Sequence, residues 1–139
     1  ITMKILNFNA IEIVQILSSI FFSIVFFQSG IDKIVDRKGN LNFFESHFKN
    51  TLFHKVHSQA LTILLFFELV AASLCAYGCL YSIIYKNTGF IFYGLLVASF
   101  VLLSLLLGQR IAKDYIGAAD ITIYFILCII TNNEFLSKT

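Results

Sequence analysis

The sequence predicts an all-α integral membrane protein: an up-down bundle of four transmembrane helices, with a short interfacial amphipathic helix between spans 1 and 2. The 139 residues are 58% hydrophobic and only 13% charged, whereas soluble domains average roughly 25% charged residues. The apolar residues gather into four runs, each close to the ~20 helical residues that cross a bilayer. No Gly/Ser-rich or low-complexity linker divides residues 1–139, so we expect a single membrane domain.

The first span is expected at about residues 10–30. It leads into the sequence Ser29-Gly30-Ile31-Asp32-Lys33, where a cation near the helix C-terminus is favoured by the helix dipole. One face of this helix carries a weakly polar stripe at helical spacing. The stripe consists of Gln15, Ser19, Phe22, Phe26, Ser29 and Lys33.

The segment at about residues 41–56 mixes phenylalanines with charged residues and histidines. It is too polar to span the membrane. Its apolar residues recur at helical spacing, which predicts a short amphipathic helix in the membrane interface. We expect a break in this helix near Asn50-Thr51.

The remaining spans are expected at about residues 59–84, 89–107 and 115–131. Glu68 lies roughly a third of the way into the second span, on the same face as Ala72, Cys75 and Cys79. Small residues let transmembrane helices approach closely, so this face is expected to pack inside the bundle. We expect Cys75 and Cys79, together with Cys128 in the last span, to act as small apolar packing residues.

The turn between the last two spans holds four of the chain's 18 charged residues in thirteen positions. Residues 108–120 contain Arg110, Lys113, Asp114 and Asp120 between two uncharged apolar runs. Read as one continuous helix, Lys113, Gly117, Asp120, Tyr124 and Cys128 share a face. A charge in the membrane costs about 2.5–3.5 kcal/mol on insertion scales, so such residues usually face protein or water and mark functional sites.

The up-down topology places the charged ends of these spans on one side of the membrane. The residues that converge there are Asp32, Lys33, Glu68, Arg110, Lys113, Asp114 and Asp120. Because an unpaired buried charge costs several kcal/mol, we expect Glu68 to be buried and paired with Lys33, Arg110 or Lys113. Asp120 is expected to be ionised and paired with a cation; the alternative is a protonated Asp120 that donates to Tyr124 or to a ligand. The residues leave open whether such pairs only lock the helices or form a ligand or proton site.

Three short motifs, in this order, resemble the DoxX family of small four-helix bacterial membrane proteins. They are Ser29-Gly30-Ile31-Asp32-Lys33, then Leu65-Phe66-Phe67-Glu68-Leu69 followed by Tyr77-Gly78, then Gln109-Arg110-Ile111-Ala112-Lys113-Asp114-Tyr115 followed by Gly117-Ala118-Ala119. The resemblance covers roughly residues 20–131, and Lys33 and Glu68 match recurring polar positions of the family. It implies a multi-pass protein of the bacterial cytoplasmic (inner) membrane. Some members resemble a subunit of a thiosulfate:quinone oxidoreductase.

The chain also departs from relatives of this family. Ala71-Ala72 stands where many members have glycines. The cysteine pair of the MauE-like thiol-redox bundles is missing, which argues against disulfide exchange.

Residues and resemblance together favour a small membrane subunit of a larger redox or respiratory complex. The expected polar pocket or proton path consists of Lys33, Glu68, Arg110, Lys113, Asp114, Asp120 and Tyr124. A quinone headgroup could occupy it, with the basic residues or the tyrosine as donors and the acids carrying protons. We assign no catalytic residue and no covalently bound cofactor, and we do not expect the chain to be catalytic alone. The expected partners are membrane lipid and other membrane subunits.

The alternative function is a non-catalytic scaffold or assembly subunit, whose interfacial helix docks a partner. Nucleic acid is excluded as a partner, because the net charge is only +2 and the basic residues form no aromatic-interleaved patch.

His47, His54 and His57 share one helical face of the interfacial segment. Imidazole binds zinc, copper and haem iron, but no cysteine or acidic ligand set accompanies these residues. We therefore expect histidines that face water or a partner, and no metal site. The orientation in the membrane stays open. Seven basic residues lie on the side of the charged cluster and three on the opposite side, which favours a cytoplasmic cluster. If Lys33, Arg110 and Lys113 serve the site and are not counted, four against three remain, and no orientation is favoured.

Overall fold

The computed structural model describes residues 4–5, 8–51 and 54–136, and these are almost entirely helical. The elements are β1 (Lys4–Ile5), β2 (Phe8–Asn9), α1 (Ala10–Val35), α2 (Arg37–His47), a 3₁₀ turn (His54–Val56), α3 (His57–Tyr85), α4 (Gly89–Ile111) and α5 (Tyr115–Leu136). The two short strands pair antiparallel ahead of α1. Helices α1, α3, α4 and α5 are long and apolar enough to cross a membrane. The prediction of four apolar helices, each long enough to cross a membrane, is therefore confirmed.

The helices are longer than the apolar runs that predicted them. Helix α1 continues to Val35, α4 to Ile111 and α5 to Leu136, four or five residues beyond the expected ends. Hydropathy marks only the apolar part of a helix, and polar residues then carry the backbone hydrogen bonding further. Helix α1 begins with a capping box: Asn9 Oδ1 accepts from the Glu12 N–H at 2.8 Å, and Glu12 Oε2 accepts from the Asn9 N–H at 3.1 Å.

The transmembrane helices pack in chain order, with α3 lying along both α1 and α4, and α5 lying along α4. Two glycines set the distance between α3 and α4. A Cβ on Gly94 would lie 2.8 Å from the backbone nitrogen of Cys75, and a Cβ on Gly78 would lie 3.0 Å from that of Ile91. Neither position has room for a larger side chain, so the two backbones are in direct contact.

Helix α1 meets α5 through fewer residues. Ser18 Oγ lies 3.2 Å from Thr131 Oγ1, and the rings of Phe21 and Tyr124 are 5.8 Å apart. The predicted stripe of α1 does face the core, because Gln15, Ser19, Phe22, Phe26 and Lys33 are all buried.

The amphipathic segment differs from its prediction in position. Helix α2 begins at Arg37, where Asp36 Oδ1 accepts from the Gly39 N–H at 3.2 Å, and it ends at His47. The expected helix over residues 41–56 is therefore wrong in both limits, because the Asp36 cap starts the helix early and residues 48–50 form a turn. Residues 52 and 53 of this segment lie outside the described residues. The break expected near Asn50-Thr51 falls within the irregular stretch after α2.

Candidate functional site

One buried ion pair joins α1 to α3. Lys33 Nζ lies 3.0 Å from Glu68 Oε2, and the two side chains are only 10% and 2% exposed. Ser29 connects the pair: its Oγ accepts from Lys33 Nζ at 2.6 Å and donates to Glu68 Oε1 at 3.0 Å. The prediction that Glu68 is buried and paired with a nearby cation is confirmed, with Lys33 as the partner. The part played by Ser29 was not predicted, although its position four residues before Lys33 puts both on one helix face.

The two basic residues of the α4–α5 turn do not join this ion pair. Arg110 is exposed, and its guanidinium carbon lies 4.8 Å from the centre of the Tyr115 ring. Lys113 is also exposed and has a positive φ of 62°. It therefore lies outside α5, and the expected helical stripe from Lys113 to Cys128 is wrong at its first residue, because the chain leaves the helix there.

The structure places Asp120 and Tyr124 apart from the ion pair as well. Asp120 is exposed on α5, and no residue that the structure describes forms an ion pair with it. The cation expected beside Asp120 is thus not found. Tyr124 is half-buried against Phe21. Cys128 is fully buried, and its thiol donates to the carbonyl of Leu95 at 3.0 Å, in agreement with a packing role.

A groove of about 740 Å³ lies between α2, α3, α4 and the start of α5. Most of its lining is apolar and includes five phenylalanines. These are Phe43, Phe44, Phe48, Phe67 and Phe100. Besides Ser104 in the middle of the α4 wall, three polar side chains line one end of the groove: His47 at the end of α2, Gln109 near the end of α4 and Asp114 in the turn before α5. The groove therefore combines a long apolar wall with one polar end, at the same end of the bundle as the ion pair.

His47 has a defined position at the polar end. Its ring stacks on Phe43, with centroids 4.9 Å apart, and meets the ring of Phe48 edge-on at 5.2 Å. Phe48 is itself buried and packs against Gly108 of α4. A Cβ added to Gly108 would lie 3.4 Å from the Cζ atom of Phe48. This contact fixes the end of α2 against α4. His47 Nε2 consequently points to Asp114 Oδ2, 3.8 Å away.

Asp114 and Gln109 meet over Gly117 at the start of α5. Asp114 Oδ1 accepts from the Gly117 N–H at 3.0 Å and so caps the helix. A Cβ on Gly117 would lie 2.5 Å from Asp114 Oδ2 and 2.6 Å from Gln109 Nε2, so only glycine leaves room for both side chains. Gln109 Oε1 is buried, and no group in the described part of the chain hydrogen-bonds to it.

The sequence therefore identified part of this site only. Asp114 was predicted as a member of a polar pocket, but with other neighbours. His47 was expected to face water or a partner, with metal binding as the less favoured alternative, and Gln109 appeared only as part of a motif. The useful signal was the run Phe43, Phe44, His47 and Phe48, whose spacing places aromatic rings and an imidazole on adjoining faces of one helix.

The three histidines are not shown to share a site. The side chain of His54 lies outside the described residues, and His47 faces Asp114. Within the described ranges, no group of three His, Cys, Asp or Glu side chains is placed to hold a metal ion.

Comparison with known proteins identifies no relative. No protein-family model, no curated protein and no solved structure matches the chain. The resemblance to the DoxX family stays a prediction that rests on three short motifs.

Proposed function

We propose that this protein is a small membrane subunit of a larger redox or respiratory complex, and that the groove beside α2 holds a quinone headgroup. The observation that carries the proposal is the groove itself, which joins a phenylalanine-rich wall to one end with polar side chains. The proposed position differs from the pocket expected around Lys33, because Ser29 and Glu68 already surround the Lys33 ammonium group.

The chemistry of a quinone matches the two parts of the groove. Its ring carries carbonyl oxygens that accept hydrogen bonds, and its isoprenoid tail is apolar. The volume of about 740 Å³ falls within the roughly 300–1,000 Å³ of small-molecule pockets. Phe43 and Phe100 provide aromatic faces for the ring, and His47 provides a donor for a carbonyl oxygen.

Protons could reach this end of the groove from water. The side chain of Asp114 is 34% exposed while its Oδ2 faces His47. A carboxylate and an imidazole in this arrangement can pass a proton between a bound headgroup and the aqueous surface. In the proposal, a partner subunit exchanges electrons with the headgroup. In the proposal, α2 lies in the membrane interface, as its amphipathic pattern predicts, and the membrane is the bacterial inner membrane that the DoxX resemblance implies.

The test is whether quinone is retained by the purified protein. The protein is isolated in mild detergent, its lipids are extracted, and quinone is measured against protein. Ser104→Phe fills the groove from α4, whereas Leu103→Phe alters the neighbouring exposed residue, which does not line the groove. We expect stoichiometric quinone in the wild type and in Leu103→Phe, and its loss in Ser104→Phe. Absence of quinone from the wild type, or equal retention in both variants, would contradict the proposal.

The second candidate is a scaffold subunit without a ligand. The cluster of Lys33, Ser29 and Glu68 favours it, because these groups bind one another between α1 and α3 and need no further molecule. In that case, tightly bound partner subunits would co-purify without quinone.

A further inference from the structure

We propose that the groove binds the reduced, hydroquinone form of its ligand more tightly than the oxidised quinone. This inference rests on the proposed function and names the substrate class of the same site. The donors and acceptors at the polar end of the groove favour this form. There, the Asp114 carboxylate faces the His47 imidazole, and the buried amide oxygen of Gln109 has no hydrogen-bond partner among the described residues.

The first acceptor is Asp114 Oδ2. The other carboxylate oxygen, Oδ1, already accepts from the Gly117 N–H. Oδ2 lies 3.8 Å from His47 Nε2, which is longer than a hydrogen bond. An oxygen atom of a ligand beside the two can lie about 2.8 Å from each of them, which is ordinary hydrogen-bond distance. The gap between His47 and Asp114 therefore suits a group that binds both.

The second acceptor is Gln109 Oε1. A Cβ on Gly117 would lie 2.6 Å from Gln109 Nε2 and 2.5 Å from Asp114 Oδ2, so the amide nitrogen of Gln109 lies on the side of Gly117 and the Asp114 carboxylate. The amide oxygen is then left buried without a hydrogen-bond partner in the described part of the chain. A buried acceptor without a donor is unfavourable, so a ligand that brings a donor is favoured there.

A hydroxyl group satisfies this arrangement and a carbonyl group does not. The hydroxyl of a hydroquinone can accept from His47 and donate to Asp114 or Gln109, since a hydroxyl is both donor and acceptor. A quinone oxygen can only accept, so it can bind His47 but offers no donor to Asp114 or Gln109. Sites built to bind a hydroxyl discriminate against analogues without one for this reason. A phospholipid phosphate is disfavoured as well, because its negative charge would lie beside the Asp114 carboxylate.

The experiment measures binding of both redox forms to the protein in phosphatidylcholine nanodiscs. A decyl-substituted benzoquinone and its hydroquinone are titrated separately under anaerobic conditions. Because one net hydrogen bond changes affinity by about tenfold, we expect the hydroquinone to bind at least about tenfold more tightly. Gln109→Leu removes the buried acceptor and should bring the ratio of the two affinities towards one. Gln28→Leu, at an exposed position of α1 outside the groove, should leave the ratio unchanged.

The outcomes separate this inference from the proposed function. Binding of both forms with equal affinity, or tighter binding of the quinone, overturns the inference and leaves a quinone site in place. Binding of neither form overturns the proposed function itself. Displacement of the hydroquinone by phosphatidylethanolamine at equal affinity would identify a lipid-amine site and overturn the inference. If Gln109→Leu does not fold, Asp114→Asn keeps a helix-capping side chain while it replaces the charged acceptor, and it should lower the preference.

Discussion

The buried pair of Lys33 and Glu68 allows a prediction whose size follows from its geometry. Glu68→Gln keeps the shape of the side chain but removes its charge, so the Lys33 ammonium group stays buried without a counter-ion. Counted over the whole residue, Lys33 is 8% exposed and Glu68 is 1% exposed, and breaking such a buried pair costs about 3–5 kcal/mol. Ser29 Oγ still accepts from Lys33 at 2.6 Å, so we expect a loss of about 3 kcal/mol, near the lower limit of that range.

The assay is reversible unfolding in mixed micelles of mild detergent and dodecyl sulfate, followed by circular dichroism. Glu45→Gln is the matched control, because Glu45 is exposed on α2 and should change the free energy of unfolding by less than about 0.5 kcal/mol. The double variant Lys33→Met/Glu68→Leu removes both charges. It should recover most of the lost stability, since apolar replacement of a buried pair is often neutral or stabilising. If Glu68→Gln unfolds like the wild type, the carboxylate is not held in a dry pair and the reasoning is refuted.

Three further predictions concern other parts of the bundle. Gln15 is fully buried, and neither of its amide atoms has a partner among the described residues, so Gln15→Leu should raise the free energy of unfolding by about 1–3 kcal/mol. The exposed Gln28→Leu serves as its control, and a loss of stability in Gln15→Leu would show that the amide binds a molecule such as water. Asp120→Asn should change stability by less than about 0.5 kcal/mol in the same assay, because Asp120 is exposed and forms no ion pair with a described residue; a large loss would indicate a hidden partner. Single cysteines at Glu45 and Lys55, in a cysteine-free background, should both react with an impermeant thiol reagent from one side of the membrane, and labelling from opposite sides would exclude an interfacial α2.

Glu68 and Asp120 show which part of the charged cluster could be predicted from the sequence. The pairing of Glu68 with a cation followed from an acid inside an apolar run, a lysine at the end of the preceding span and an up-down topology, but the choice of Lys33 over Arg110 and Lys113 did not. These three facts bring the two groups to the same depth, and the cost of an unpaired buried charge supplies the reason for contact. The exposure of Asp120 could not be predicted in this way. Its helical phase depends on where α5 begins, and Lys113 interrupts the helix just before that point.

The sequence by itself determined the four apolar helices and the burial of Glu68 beside a cation, because hydropathy and charge burial act on every residue regardless of its neighbours. Only the tertiary structure decided where an apolar groove opens and which polar groups meet at its end. His47, Gln109 and Asp114 come from two separate stretches of the chain, and their distances depend on how Phe48 packs on Gly108 and how Gly117 admits two side chains. Such contacts are set by the packing of particular side chains between helices. No periodicity within one segment records that packing.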